Sequence, residues 1–332
     1  MLDVFNSDAF SAVELTDRII KAPFKPGRIG SMNLFVSRGV RNTTIVVEEK
    51  DGRLSLIPTS PRGGPADTIG AKKRTVRSFI APHLERESTV MADEVQDVRA
   101  FGSEEGLESV QMLVDERLSD LRGMHEVTLE YHRIGAIQGK VLDADGTTEI
   151  FDLFTEFGVT QQTKDIALGT ETTNVRTEVT AAKRLSENEL GGLAVTGYVG
   201  LCSDGWFDDF VEHAKVAETL KYQDSATLRE DIREGFRFAG VNWENYRGKV
   251  AGAGGDVDFI PDDEAVLVPT ADIYRTYYAP ADFIEAANTI GLPIYSKIVP
   301  DRDLDRWVKV HSQSNPLCIC LRPRAVIRLT KS

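Results

Sequence analysis

Cysteine is scarce: three in 332 residues, Cys202, Cys318 and Cys320, an odd number without framework spacing, which fits free thiols in a reducing compartment rather than a disulfide scaffold. Cys318-Ile319-Cys320 sits in an apolar run, where both thiols share one face of a strand as small hydrophobes. Long hydrophobic runs are also missing, and none approaches the roughly 20 residues of a membrane span. The opening MLDVFNSDAF lacks the basic and apolar regions of a secretory signal. Basic residues are the minority charge, 39 Lys and Arg against 52 Asp and Glu, for a net charge of −13. That balance argues against a nucleic-acid-coating surface and favours solubility. What remains is an ordinary globular composition, 41% hydrophobic and 27% charged, in a chain long enough for about two domains with a sizeable core.

Chemistry is equally sparse. GGPADTIGAKKRTVR, Gly63 to Arg77, resembles a phosphate-cradling loop, but Gly64 and Gly70 are one residue too far apart for a Walker A motif. Ala71 stands where its lysine belongs, no hydroxyl residue follows Lys72, and Pro65 removes a backbone donor. HEVTLEYH, His125 to His132, has Leu129 at the second ligand position of a zinc H-E-x-x-H motif, so the pair reads as solvated or core-edge histidines. GLCSDG is one residue too long for a nucleophile elbow, and its Ser203 reads as a helix N-cap. The acidic stretches GGDVDFIPDDEA and DADG lack the order of a calcium loop. No catalytic residue, cofactor-binding residue or metal ligand set is read, and no cofactor is implied.

Periodicity predicts a helix over 8–20, capped by Asp8 or Ser11 and ended before Pro23 and Pro26. TTIVVEEK and RLSLIPTS around Asp51-Gly52 predict a hairpin. Leu107, Val110, Val114, Leu118 and Leu121 predict a long helix over 104–134, with Val127 and Ile134 near the same stripe and Gly135 and Gly139 closing it. A second hairpin turns at Asp145-Gly146. Helices follow at 174–189, from Ser203-Asp204 to Leu220, at 225–238 and at Ala281–Ile290. Strands are predicted at Val195–Cys202, Val257–Ile260 and Ala265–Val268, and the tail LCICLRPRAVIRL reads as two strands split by Pro323.

Charge is unevenly placed. Residues 61–80 carry five basic and one acidic side chain, and residues 81–130 carry four basic and thirteen acidic ones. An extended Gly/Pro/basic return arm, with Lys72, Lys73, Arg74 and Arg77, has little apolar surface to bury against its own domain. It is placed to pair with acidic residues, within the chain or on another copy of it. The basic run has no interleaved aromatics for base stacking.

Five long blocks carry a resemblance: LSLIPTSPRGGP (54–65), RSFIAPHLERESTVMADEVQDVRAFG (77–102), TLEYHRIGAIQGKVLDADG (128–146), FRFAGVNWENYRG (236–248) and QSNPLCICLRP (313–323). In content and order they resemble the lambda-type major capsid proteins (capsid E family) of tailed phages, over nearly the whole chain. The resemblance implies an α+β fold of the Hong Kong 97 type. Its parts would be an N-terminal arm (1–35), an E-loop hairpin with its return arm (36–82), a peripheral domain (83–165) with the 104–134 helix as spine, an axial domain (166–299), and a return to the peripheral domain (300–332). It implies a structural protein rather than an enzyme, self-assembling into hexamers and pentamers of an icosahedral shell around double-stranded DNA. Scaffolding, portal and decoration proteins would be partners, DNA would be contacted non-specifically, and no membrane would be involved. Assembly would take place in the host cytoplasm, and the product would be the virion capsid. Lys72, Lys73, Arg74 and Arg77 would be inter-subunit contacts. An encapsulin-like shell around protein cargo and a soluble α/β enzyme are the alternatives.

Overall fold

The computed structural model describes residues 11–21, 27–50, 74–97, 106–221, 235–252, 255–304 and 306–332. The helices among them are α1 (Ala12–Lys21), α2 (Arg28–Ser31), α3 (Ala92–Asp97), α4 (Gly106–Gln138), α5 (Leu153–Phe157), α6 (Val175–Leu190), α7 (Asp204–Glu212) and α8 (Ala214–Lys221). The first strands are β1 (Val36–Gly39), β2 (Thr44–Lys50), β3 (Arg74–Ile80), β4 (Leu84–Met91), β5 (Lys140–Leu142), β6 (Glu149–Asp152), β7 (Gln162–Asp165), β8 (Gly197–Cys202) and β9 (Phe236–Phe238). They continue with β10 (Val241–Asn245), β11 (Lys249–Gly252), β12 (Gly255–Asp258), β13 (Glu264–Thr270) and β14 (Tyr274–Tyr278). The last are β15 (Tyr295–Pro300), β16 (Trp307–Ser314), β17 (Pro316–Cys320) and β18 (Ile327–Thr330). Two compact units result, each built from three chain segments: Met1–Ile45, Ser78–His132 and Arg275–Cys318 in the first, Val46–Arg77, Arg133–Tyr274 and Ile319–Ser332 in the second.

In the first unit, β15, β16 and β4 form an antiparallel sheet in that order. Its inner face meets α1 and α4 through Leu15, Ile19, Val90, Val114, Leu118, Leu121, Ile294 and Val310, all buried. Ser11 starts α1 as the sequence predicts, its Oγ accepting from Glu14 N–H at 3.3 Å. Thr16 then fastens α1 to β15 by donating to Ser296 O and accepting from Ser296 N–H.

The long helix α4 has 33 residues, about 50 Å of rod. The Val114, Leu118, Leu121 stripe is buried as predicted. It does not pass through Val127, which is 44% exposed. At i+3 and i+4 the stripe runs instead through His125, Leu129 and His132, so both histidines are core residues. Gly139 ends α4 at φ +92, a left-handed position that L side chains resist. Gly135 lies one turn inside the helix, close to the Lys140 carbonyl.

Burial pushes the His125 imidazole down to about 4, and the nearby His311 adds to this against a hydrogen bond with Ser312. His125 is therefore neutral in the fold, while in the unfolded chain it protonates near 6.5. Its contribution to stability is complete above about pH 6.5 and is lost as pH falls toward 4, on the order of 3 kcal/mol. Urea midpoints of the wild type should fall across that window. His125→Gln, which still reaches Ser312 but does not titrate there, should flatten the slope.

The second unit is organised by a six-stranded sheet in the order β7-β18-β13-β8-β10-β9. Only β7–β18 and β8–β10 are parallel pairs. Helices α6 and α7 bury Val175, Val179, Ala182, Trp206, Phe207 and Phe210 in the same core as Trp243, Phe236 and Phe238. The Trp206 and Trp243 rings stack at 5.4 Å. Gly200 on β8 lies opposite Trp243 on β10, where a Cβ would come within 2.2 Å of the indole.

Three expectations change here. The helix predicted over 225–238 ends in β9: Phe236 and Phe238 are buried and Arg237 exposed, a period of two, while residues 222–234 lie outside the described part. The helix predicted at Ala281–Ile290 is only a 3-10 turn, Ile284–Ala286. Ile284 is 93% exposed and Asn288 has φ +61, so no buried stripe supports a longer helix. Ser203 precedes α7 but makes no side-chain cap; its Oγ accepts from Glu264 N–H instead. The Asp145-Gly146 hairpin forms as β5–β6, with Asp145 accepting from the amides of Thr147 and Thr148. In the tail, β17 and β18 flank the turn that Pro323 begins.

Candidate assembly surface

The predicted arm begins in described structure as β2, which pairs with β3 in a two-stranded ribbon. Ala81 N–H donates to Thr43 O at its root. The Asp51-Gly52 turn and RLSLIPTS lie outside the described residues, and the partner described for β2 is β3. Both strands alternate: Ile45, Val47 and Phe79 are buried, while Val46, Val76 and Ile80 are 58%, 60% and 74% exposed. A polar outer face would suffice for an isolated ribbon, so exposed β-branched residues on both strands mark a surface that another surface can cover.

The four basic positions fare differently. Lys72 and Lys73 lie outside the described residues, and Arg74 opens β3. Arg77 has partners in its own chain: Nε donates to Glu156 O at 2.6 Å, another guanidinium nitrogen to Phe157 O at 3.1 Å, and the group lies 4.8 Å from the Phe157 ring centroid. Those carbonyls end α5, where the helix dipole favours a cation.

Much of the acidic segment is also engaged within the chain. Glu94 pairs with Arg117, Asp115 with Arg18, Glu126 with Arg122 and Glu87 with Lys309. Buried Glu130 accepts from the amides of Ile29 at 2.6 Å and Gly30 at 3.1 Å, so α4 holds the first turn of α2 from 100 residues away. Removing that carboxylate strands two amide donors. Glu130→Ala should lower unfolding free energy by about 3 kcal/mol, read from urea denaturation.

Glu116 and Asp120, exposed on α4, have no ion pair among the described residues. With Met112 and Met124 they form an i+4 row on the outer face of the helix. Their i+4 spacing along the helix is the signal in the sequence. Elsewhere the acidic loops are internally paired, Asp258 with Lys249, Asp263 with Lys331 and Glu264 with Arg328. Cys202, Cys318 and Cys320 are buried, and burial pushes the Cys320 thiol up to about 12.

Comparison with known proteins places this architecture. The family described as "Phage major capsid protein E" matches residues 11–331. The major capsid protein of Pseudomonas phage KPP10 is 28% identical over 343 aligned positions, covering 96% of each chain. That of Salmonella phage Felix O1 is 24% identical, covering 98% of each. Among solved structures, the capsid of cyanophage P-SCSP1u shares the fold at a TM-score of 0.51, with 13% identity over 94% of this chain and 90% of that one.

Proposed function

The chain belongs to the phage major capsid protein E family, a structural component of the virion capsid, and from that premise we propose that its copies assemble as hexamers and pentamers into a closed icosahedral shell around double-stranded DNA. The match over residues 11–331 carries this reading. In this reading residues 83–165 form the peripheral domain with α4 as its spine, residues 166–299 the axial domain, and residues 300–332 the return to the peripheral domain. Scaffolding, portal and decoration proteins act as separate partners, and assembly proceeds in the host cytoplasm. DNA is held by enclosure, which agrees with a net charge of −13.

The ribbon of β2 and β3 is the arm that reaches a neighbouring copy. Its exposed Val46, Val76 and Ile80 are covered there, and Lys72, Lys73 and Arg74 meet Glu116 and Asp120 on the neighbour's α4. Arg77, seated on α5, holds the root of the arm. Individual contacts of this kind are weak, and a closed lattice multiplies them.

Purified particles from infected cells, treated with nuclease, test the enclosed content. Protected double-stranded DNA of uniform length is the expected result. Particles filled with protein cargo and no DNA would replace this reading with the encapsulin-like one.

A further inference from the structure

On the outer face of the β15-β16-β4 sheet, cross-strand register sets His311 opposite Glu87 and Gln313 opposite Glu85. One oxygen of Glu85 lies 2.6 Å from His311 Nε2, and the other 3.3 Å from His83 Nε2. Two imidazoles thus converge on one carboxylate, with Glu87 beside them. One ligand atom each from Glu85, Glu87 and His311 fall within 4.8 Å of one another.

Asn315 Nδ2 donates to Pro280 O at 2.8 Å, which turns Oδ1 toward His83 Nδ1 at 3.1 Å. Gln313 Nε2 lies 3.0 Å from the same Nδ1 and donates to Asn315 Oδ1 at 3.4 Å, so two amides hold that edge of the ring. Held from that side, the His83 ring presents Nε2 to the Glu85 carboxylate. The His311 side chain is only 9% exposed, with Phe283 covering the ring at 5.5 Å and Nε2 facing the cluster.

We propose that His83, Glu85, Glu87 and His311 form a binding site for a divalent transition metal of the zinc class. Imidazole nitrogens and carboxylate oxygens are the donors zinc accepts, at about 2.0–2.2 Å, which sets neighbouring donors roughly 3.4 Å apart in a tetrahedron. Ligand atoms of Glu85, Glu87 and His311 stand within 4.8 Å of one another, and Glu85, Glu87 and His83 are each more than a third exposed, with room to turn toward that spacing. Asn315 acts as the outer hydrogen-bond partner that orients a metal-bound histidine. Lys309 is the competing cation, 2.8 Å from Glu87; it also lies over the Trp307 ring, where it stays when Glu87 turns to the metal. Lys297, across the sheet, is occupied by Glu285. The metal joins β4 to β16 just after the root of the ribbon. This site stands on the first unit alone and is independent of the shell reading.

The test is zinc titration by calorimetry of the full chain after chelator dialysis, with circular dichroism confirming that each variant is folded. The wild type should bind one zinc per chain at this site. His83→Gln and Glu85→Gln should each weaken it by about tenfold or more, and Lys309→Gln should tighten it. Absence of zinc binding by the wild type, or unchanged affinity in both folded ligand variants, would overturn the proposal.

Discussion

Reversing Lys72, Lys73 and Arg74 together to Glu stops particle formation while leaving the chain folded. Lysine and arginine are almost never fully buried unless paired, so the monomer should melt as the wild type does. Assembly responds differently. An exposed ion pair contributes about 0–1 kcal/mol, but three reversals convert attraction into repulsion at every arm contact of a lattice. Adding Glu116→Lys and Asp120→Lys should restore particles if those residues are the acceptors. Raised salt should partly relieve the triple variant, because the screening length falls to about 3 Å at 1 M. Normal particles from the triple variant at physiological salt would eliminate the basic arm as an assembly contact. A triple variant that fails, without rescue by the α4 reversals, would keep the arm and move its acceptor elsewhere.

The second large effect lies in the sheet of the second unit. Gly200→Val should cost about 3 kcal/mol, at the upper end of overpacking. The site has no room: a Cβ there would stand 2.2 Å from the Trp243 ring, which is itself held by Trp206 at 5.4 Å and Phe210 at 4.6 Å. Trp243 Nε1 also donates to Phe238 O, so the ring cannot turn away freely. The milder Gly200→Ala, combined with Trp243→Leu, should be less destabilised than the sum of the two single changes, as expected of residues sharing one space. Strict additivity in urea denaturation would contradict the close approach.

How far the sequence carried the fold depends on how local each determinant is. Helix α4 was legible because Val114, Leu118 and Leu121 repeat at helical spacing, and β5–β6 because Asp145-Gly146 is a turn signal of its own. The apparent helix at 281–290 was not corrected by any nearby residue; its exposure at Ile284 is a tertiary fact. His125 and His132, read as solvated or core-edge, are core residues because the stripe steps strictly at i+3 and i+4, past a Val127 that was placed near it. Long-range partners were invisible. Glu130 reaches Ile29 across 101 positions, and Glu85 meets His311 across 226, so no spacing rule applies to either. The basic arm was read from charge, whereas the alternation of Val46, Val76 and Ile80 on its ribbon needed the strand pairing.

The central claim is that this chain builds a closed shell with copies of itself. Its most direct test is the particle mass of the purified protein by size exclusion with light scattering, followed by negative-stain imaging, with and without a co-expressed scaffolding protein from the same source. Closed shells, or discrete pentamers and hexamers, are the predicted result. A stable monomer or dimer under both conditions would contradict it.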